Sequence, residues 1–204
     1  MYSICHNLKI GRHMTRQREF DTSDVLNKAM HLFWGRGYKS TSLDDLLETM
    51  EISKSSFYET FGNKHDLFLA TIEEYIRCTT KPMLDRLMVE GPFIDALNDI
   101  FDDIIELSVS NRSGCMLANS AIELSPHDDQ VDQLIARAIK QVEDAWYKAI
   151  KQAQKNGEIS AEKKPRALAR FIVGSINGLM VISKANPHRP TLLDIKDTVI
   201  SAVI

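Results

Sequence analysis

The stretch Ser40–Lys64 permits little except two short helices joined by a tight turn, and the rest of the chain has to accommodate them. Ser42 and Asp45 stand three apart at the head of the first helix, the spacing of a capping box. Leu43, Leu46, Leu47 and Met50 follow at i, i+3, i+4 and i+7, one face of a short helix. In the turn Glu51-Ile52-Ser53, Ile52 plugs the angle between the helices and Ser53 caps the second. Phe57 and Phe61, four residues apart, make that helix's buried side. Lys54, Ser55, Ser56 and Tyr58 occupy surface the apolar pair leaves open. Short donors and one cation at a helix N-terminus suit phosphate oxygens and base edges in a major groove. The pattern is a helix-turn-helix.

What lies around it is helical throughout. Asp21 or Thr22 caps a helix to about Gly35, with Val25, Leu26, Ala29, Met30 and Phe33 as its buried stripe and the Gly35/Gly37 pair as its end. Trp34 and Tyr38 read as core. Lys64 opens a longer helix carrying Leu67, Phe68, Ile72, Tyr75 and Ile76, which Pro82 should interrupt. Because that helix starts beside the turn motif and ends in the rest of the protein, it can couple the two. Further helices are expected from Phe93 to Leu107, from Cys115 to Leu124, and from about Asp128 to Asn156. Pro165–Ala185 is apolar over too much of its circumference for a helix with one solvated side, so it needs cover on two sides, and a second copy of the chain supplies that economically. Its Gly174 and Gly178 suit close helix approach, either to a partner or within the monomer. Asn186–Pro190 should break the chain before a last helix, Leu192–Ile204.

Composition sets few further bounds. The net charge of −3 conceals a mild asymmetry, about +1 over residues 1–64 and about −4 over the remainder. Cys5, Cys78 and Cys115 fit neither a zinc spacing nor a disulfide framework, which points to a reducing cytoplasm. No stretch reads as a membrane span and no signal-peptide core precedes the first helix. Residues 1–13 show no periodicity, and Met14 is a plausible start. The basic Thr15-Arg16-Gln17-Arg18 that follows is either a solvated terminus or an arm reaching phosphates or the minor groove.

Several spaced elements then agree in order with one family. Gly35-Arg36-Gly37-Tyr38-Lys39-Ser40-Thr41-Ser42-Leu43, Ile52-Ser53-Lys54-Ser55-Ser56-Phe57-Tyr58 and Phe61-Gly62-Asn63-Lys64-His65-Asp66-Leu67 together resemble the DNA-binding domain of the TetR (tetracycline-repressor) family, over roughly Glu19 to Leu69. One departure is Met50-Glu51, where that family usually carries alanine-glycine. A left-handed Glu51 would be strained by about 1–2 kcal/mol. The resemblance implies an all-α fold, with a three-helix DNA-binding domain over 15–69 and a ligand-binding and dimerisation domain over 70–204. It implies that Lys54, Ser55 and Ser56 face base edges or neighbouring phosphates, that Tyr58 and Lys64 hold the backbone, and that Thr41 contributes at the start of the first short helix; Arg16 and Arg18 join them as DNA contacts only in the arm reading of the basic run. It further implies a cytoplasmic homodimer joined through 165–204, a double-stranded operator, a small-molecule effector, and repression relieved by that effector. Activation remains open, because operator position decides its sign.

No nucleophile motif, glycine-rich phosphate loop or supported carboxylate pair is present, so neither an enzyme nor a cofactor is expected. The rival from another class is a helical small-molecule-binding or interaction protein that has lost DNA binding. Between Phe93 and Tyr147 large apolar side chains exceed what a connector requires. Phe93, Phe101, Met116, Asn119 and Trp146 are therefore the expected effector lining, against the alternative of a filled core. Cys115 reads either as a small residue at a helix start or as a redox or electrophile sensor. His127-Asp128-Asp129 with Glu123 is too loosely spaced for a metal site and suits the acidic opening of a helix, so no metal is expected. Asp102-Asp103-Glu106 belongs on a solvated face.

Overall fold

The computed structural model describes residues 20–204, and among them are ten α-helices and no strand. The chain divides into two compact units, the first ending at Thr79 and the second running Thr80–Ile204.

The first unit is built on α1 (Thr22–Arg36), whose buried Val25, Ala29, Met30, Phe33 and Trp34 face α2 (Leu43–Met50) and α4 (Lys64–Tyr75). Asp21 caps α1 by accepting from the Ser23 N–H at 2.8 Å. Gly37, at φ 85°, ends it by donating its N–H to the Phe33 carbonyl. An aromatic seam joins α1 to α4: Phe33 stands edge-on to Phe68 and Trp34 to Tyr75, each pair 5.0 Å apart, and Tyr38 leans on Phe68 at 4.9 Å. Between these elements α3 (Lys54–Phe61) inserts Phe57, which is fully buried, while Phe61 is only half-buried.

Pro82 does not interrupt the chain as its ring would in mid-helix. The α-helical pattern gives way to a π-helical turn at Ile76–Thr80, and Pro82 stands directly after it, in the first turn of α5 (Lys81–Asp85). Three-residue helical turns at Arg86–Met88 and Ser125–His127 flank the larger elements of the second unit. Near the π-helical turn, Glu74 accepts two bonds from the Arg77 guanidinium, at 2.5 and 2.8 Å, and one from the Cys78 thiol at 3.0 Å. The Arg77 bonds, reinforced by the Cys78 thiol, hold the Glu74 carboxyl below the usual carboxylate range against its partial burial.

In the second unit α6 (Phe93–Asn111), α8 (Asp129–Lys155), α9 (Pro165–Ala185) and α10 (Arg189–Val203) enclose one core, and α7 (Met116–Glu123) packs against α8. Leu97, Ile100, Phe101 and Ile105 of α6 meet Trp146 and Ile150 of α8, Ile172 and Leu179 of α9, and Leu192 and Val203 of α10. The acidic side of α6 points outward. Asp99 and Asp103 pair with Arg86, Asp102 with Lys196 at 2.6 Å, and Glu106 with Arg189. The last helix starts at Arg189 rather than Leu192, because Pro190 lies in its first turn. Contrary to the sequence expectation, α9 is long and apolar enough, by length and composition, to cross a bilayer. One side of it is nevertheless built into the core through Ala169, Ile172, Ile176, Leu179 and Met180.

Candidate nucleic-acid interface

The expected capping box closes: the Ser42 hydroxyl accepts from the Asp45 N–H at 3.0 Å, and the Asp45 carboxylate accepts from the Ser42 N–H at 2.8 Å. Hydrogen bonds from the Ser42 hydroxyl and N–H, with Arg36 nearby, hold the Asp45 carboxyl below its ordinary value. The turn that follows is tight because Glu51 adopts the left-handed conformation (φ 57°, ψ 39°), which lets the Ile52 N–H reach back to the Leu47 carbonyl at 3.3 Å. Glu51 reaches α1 as well, where its carboxylate accepts from the Lys28 ammonium at 3.2 Å and raises the lysine's pKa. The unusual residue in the turn is thus tied down from outside it.

Ser53 does more than cap α3. Its Oγ accepts from the Ser56 N–H at 3.1 Å and lies 2.9 Å from both the Ser55 and the Ser56 hydroxyls. Three hydroxyls therefore meet at the exposed head of α3, beside the exposed Lys54. A hydroxyl cluster of this kind can turn its donors toward an anion with no backbone change. Tyr58, 47% exposed, stands one turn on, with its ring braced edge-on by Phe57. Lys64 opens α4, and its ammonium sits 4.2 Å from the centroid of the Tyr38 ring. That contact holds a flexible cation in place. Between the two helices Gly62 has φ 77°, and a Cβ there would meet the Asp66 carboxylate at 3.0 Å, so α3 and α4 meet at a point only glycine fills without strain.

Thr41 is placed differently from the sequence expectation. It is 0% exposed, and its hydroxyl donates to the Gly37 carbonyl at 2.7 Å. A side chain so enclosed has no surface to offer DNA; it pins the loop ahead of α2. Arg16 and Arg18 lie outside the described residues. Sequence reasoning overlooked Tyr38 as the support of Lys64 and Ser53 as the hub of the serines. The second was signalled by three serines within four positions.

Of the residues expected to line an effector cavity, Phe93 borders an open cleft. That cleft, about 290 Å³, lies between the Leu87–Phe93 segment and the C-terminal half of α8. Phe101 and Trp146 are fully buried in the core and Met116 is buried in α7. Asn119 already serves the fold, donating to the Ser113 carbonyl at 2.8 Å and accepting from Lys184 at 3.2 Å. Asp128 caps α8 by accepting from the Gln130 and Val131 N–H groups, both at 3.1 Å. Cys115 precedes α7 at its N-cap position, half-buried. Trp146 is 0% exposed, yet its Nε1–H finds no acceptor among the described residues. Such an unmade bond costs about 1–3 kcal/mol.

Comparison with known proteins adds to this geometry. Residues 25–71 match the domain described as "Bacterial regulatory proteins, tetR family", and residues 94–192 match the "Tetracyclin repressor-like, C-terminal domain". The uncharacterized HTH-type transcriptional regulator YezE of Bacillus subtilis is 35% identical over 193 residues, 93% of this chain and all of its own. The HTH-type transcriptional repressor ComR of Escherichia coli is 30% identical over 186 residues, 90% of this chain and 89% of its own. Among solved structures, a cysteine mutant of the regulator CifR, complexed with 26-bp double-strand operator DNA, superposes with a TM-score of 0.83 at 25% identity. The match covers 92% of this chain and 99% of that one.

Proposed function

The chain belongs to the TetR family of bacterial regulatory proteins, DNA-binding transcriptional regulators rather than enzymes, and from that premise we propose a homodimeric repressor released from its operator by a small molecule. The observation that carries the reading is the head of α3, where Ser53, Lys54, Ser55 and Ser56 lie on one surface with Tyr58. Lys54, Ser55 and Ser56 face base edges or the flanking phosphates. Tyr58 and Lys64 hold the backbone, and Arg16 and Arg18 add phosphate contacts from the arm. Repression is supported by the relatives whose names call them repressors. The working place is the cytoplasm, where the operator is. Residues 15–69 bind DNA, and 70–204 bind the effector and the partner subunit.

Dimerisation through 165–204 rests on what α9 leaves uncovered. Phe171 (43% exposed), Gly174, Gly178 and Val181 (51% exposed) recur along one outward stripe. A Cβ on either glycine would meet nothing within 4 Å, so these glycines do not serve packing inside the subunit. A second α9 laid on that stripe buries it. The effector acts by population shift. To move the operator-bound fraction from about 99:1 to 1:99 it must prefer the released state by about 5.5 kcal/mol. An electrophoretic shift on random-sequence duplex, repeated over a range of salt, tests the premise. Affinity should fall log-linearly with salt. Absence of any shift at low salt would favour the rival, a ligand-binding protein without DNA.

A further inference from the structure

We propose that the cleft between the Leu87–Phe93 segment and α8 leads to the buried indole of Trp146 and takes a neutral, flat, largely apolar molecule bearing one hydrogen-bond acceptor, an aromatic carbonyl compound. This rests on the second unit being the ligand-binding part. The cleft's apolar walls are Leu87, Met88 and Val89 on one side, with Phe93, Ala149 and Ala153 forming its floor. Met88 and Val89 are 68% and 70% exposed, an apolar lip that nothing among the described residues folds over. Ala149 and Ala153 follow Trp146 at i+3 and i+7, so the indole leaves α8 on the face that lines the cleft. Phe93 joins the two: it lines the cleft and stands edge-on to Trp146 with centroids 6.3 Å apart. A rotation of Phe93 would extend the cleft to that donor, which has no acceptor among the described residues.

The chemistry of the ligand follows from what that path offers. The deep end lies in the apolar core cluster and presents the Trp146 N–H, a donor without an acceptor among the described residues, so an acceptor is selected there. The polar end is occupied with itself. Gln152 donates to Asn156 at 3.0 Å, Asn156 to Glu158 at 3.1 Å, and Glu158 accepts from the Phe93 N–H at 2.5 Å. Of the charged groups at the cleft, Lys148 is one cation against the carboxylates of Glu90 and Glu158, so no surplus of positive charge selects an anion. The volume, about 290 Å³, is at the lower end of small-molecule sites, which suits a single substituted ring.

Acetophenone and α-methylstyrene test this directly, since they share shape and differ by oxygen against methylene. Both are titrated into the ¹⁵N-labelled Trp34→Phe protein, in which the one remaining indole N–H signal belongs to Trp146. Acetophenone is expected to move that signal downfield and to bind at least tenfold tighter than α-methylstyrene, because a site with a buried donor rejects the analogue lacking the acceptor. Trp146→Phe should bring the two probes to within twofold, and Phe93→Ala should tighten acetophenone by opening the path. Equal binding of the probes, no binding at millimolar concentration, or an indole signal unmoved at saturation overturns the proposal. Failure of the DNA reading would appear elsewhere, as absence of a duplex shift with no probe present.

Discussion

Thr41→Val separates two roles that a threonine ahead of a DNA-binding helix can play. Valine keeps the shape and replaces the hydroxyl with a methyl, so the 2.7 Å bond to the Gly37 carbonyl is lost and little else changes. The site is fully closed at Thr41, while Gly37 is only half-buried. The cost therefore lies between a typical net hydrogen bond, about 0.5–1.5 kcal/mol, and a fully stranded acceptor, about 1–3 kcal/mol. Taking about 1–2 kcal/mol, and about 4–8 °C per kcal/mol for a folding unit of this size, the midpoint of the first unit should fall by at least about 4 °C. Thr41→Ser supplies the complementary loss. It keeps the bond and deletes a buried methyl, for about 1 kcal/mol. Circular dichroism melts give the stabilities, and a mobility-shift titration on duplex at 10 °C, where each variant remains folded, gives affinity per folded molecule. Both variants should melt earlier and bind within twofold of the wild type. A Thr41→Val protein that melts normally but binds tenfold more weakly, a loss of about 1.4 kcal/mol, would mean the hydroxyl touches DNA and the buried assignment is wrong.

Other consequences are as direct. Lys64→Ala should weaken binding about equally on all duplexes and lower the salt slope by about one unit, and an unchanged slope would remove Lys64 from the interface. Tyr38→Leu leaves that charge but removes the ring 4.2 Å beneath it, so a smaller loss with an unchanged slope is expected; a slope change equal to that of Lys64→Ala would show Tyr38 acting otherwise. Gly178→Asp sets a charge on the open stripe of α9 and should give monomers in sedimentation velocity, whereas a persistent dimer would move the interface off that stripe. Glu74→Gln should destabilise at neutral pH. Because the folded carboxyl is depressed by Arg77, its contribution is present above the unfolded carboxylate pKa and is lost as pH falls through the folded value. The two melting curves should thus converge in acid, and a constant offset down to that range would put the effect outside the ion pair.

What the sequence disclosed and what it hid divide along a physical line. Ser42 with Asp45, Asp21 ahead of α1 and Ser53 ahead of α3 were legible because a cap is satisfied by atoms two or three residues away. At Glu51 the sequence posed the question without answering it, since Met50-Glu51 replaces the usual alanine-glycine, and the folded chain answers with a left-handed backbone. Thr41 was misread because spacing says a hydroxyl is present but not that Gly37, four residues back, has already taken it. Pro82 and Pro190 were read as breaks, since a proline carries the same letter whether it ends a helix or fits the first turn of one. Phe101, Met116 and Trp146 were correctly heavy and apolar, but volume is a property of the whole enclosure. Residues from α6, α8, α9 and α10 fill the space around Phe101 and Trp146, and no local pattern records that they do. Phe93 was among the residues expected to line a cavity and does border the cleft, but the other walls stayed out of reach, because they come from segments that are far apart in the chain. Local chemistry therefore suffices for the candidate DNA surface at the head of α3, where the groups come from adjacent residues. The ligand site depends on which side chains fail to find partners after packing, and the indole N–H of Trp146 becomes visible as such only in the folded chain.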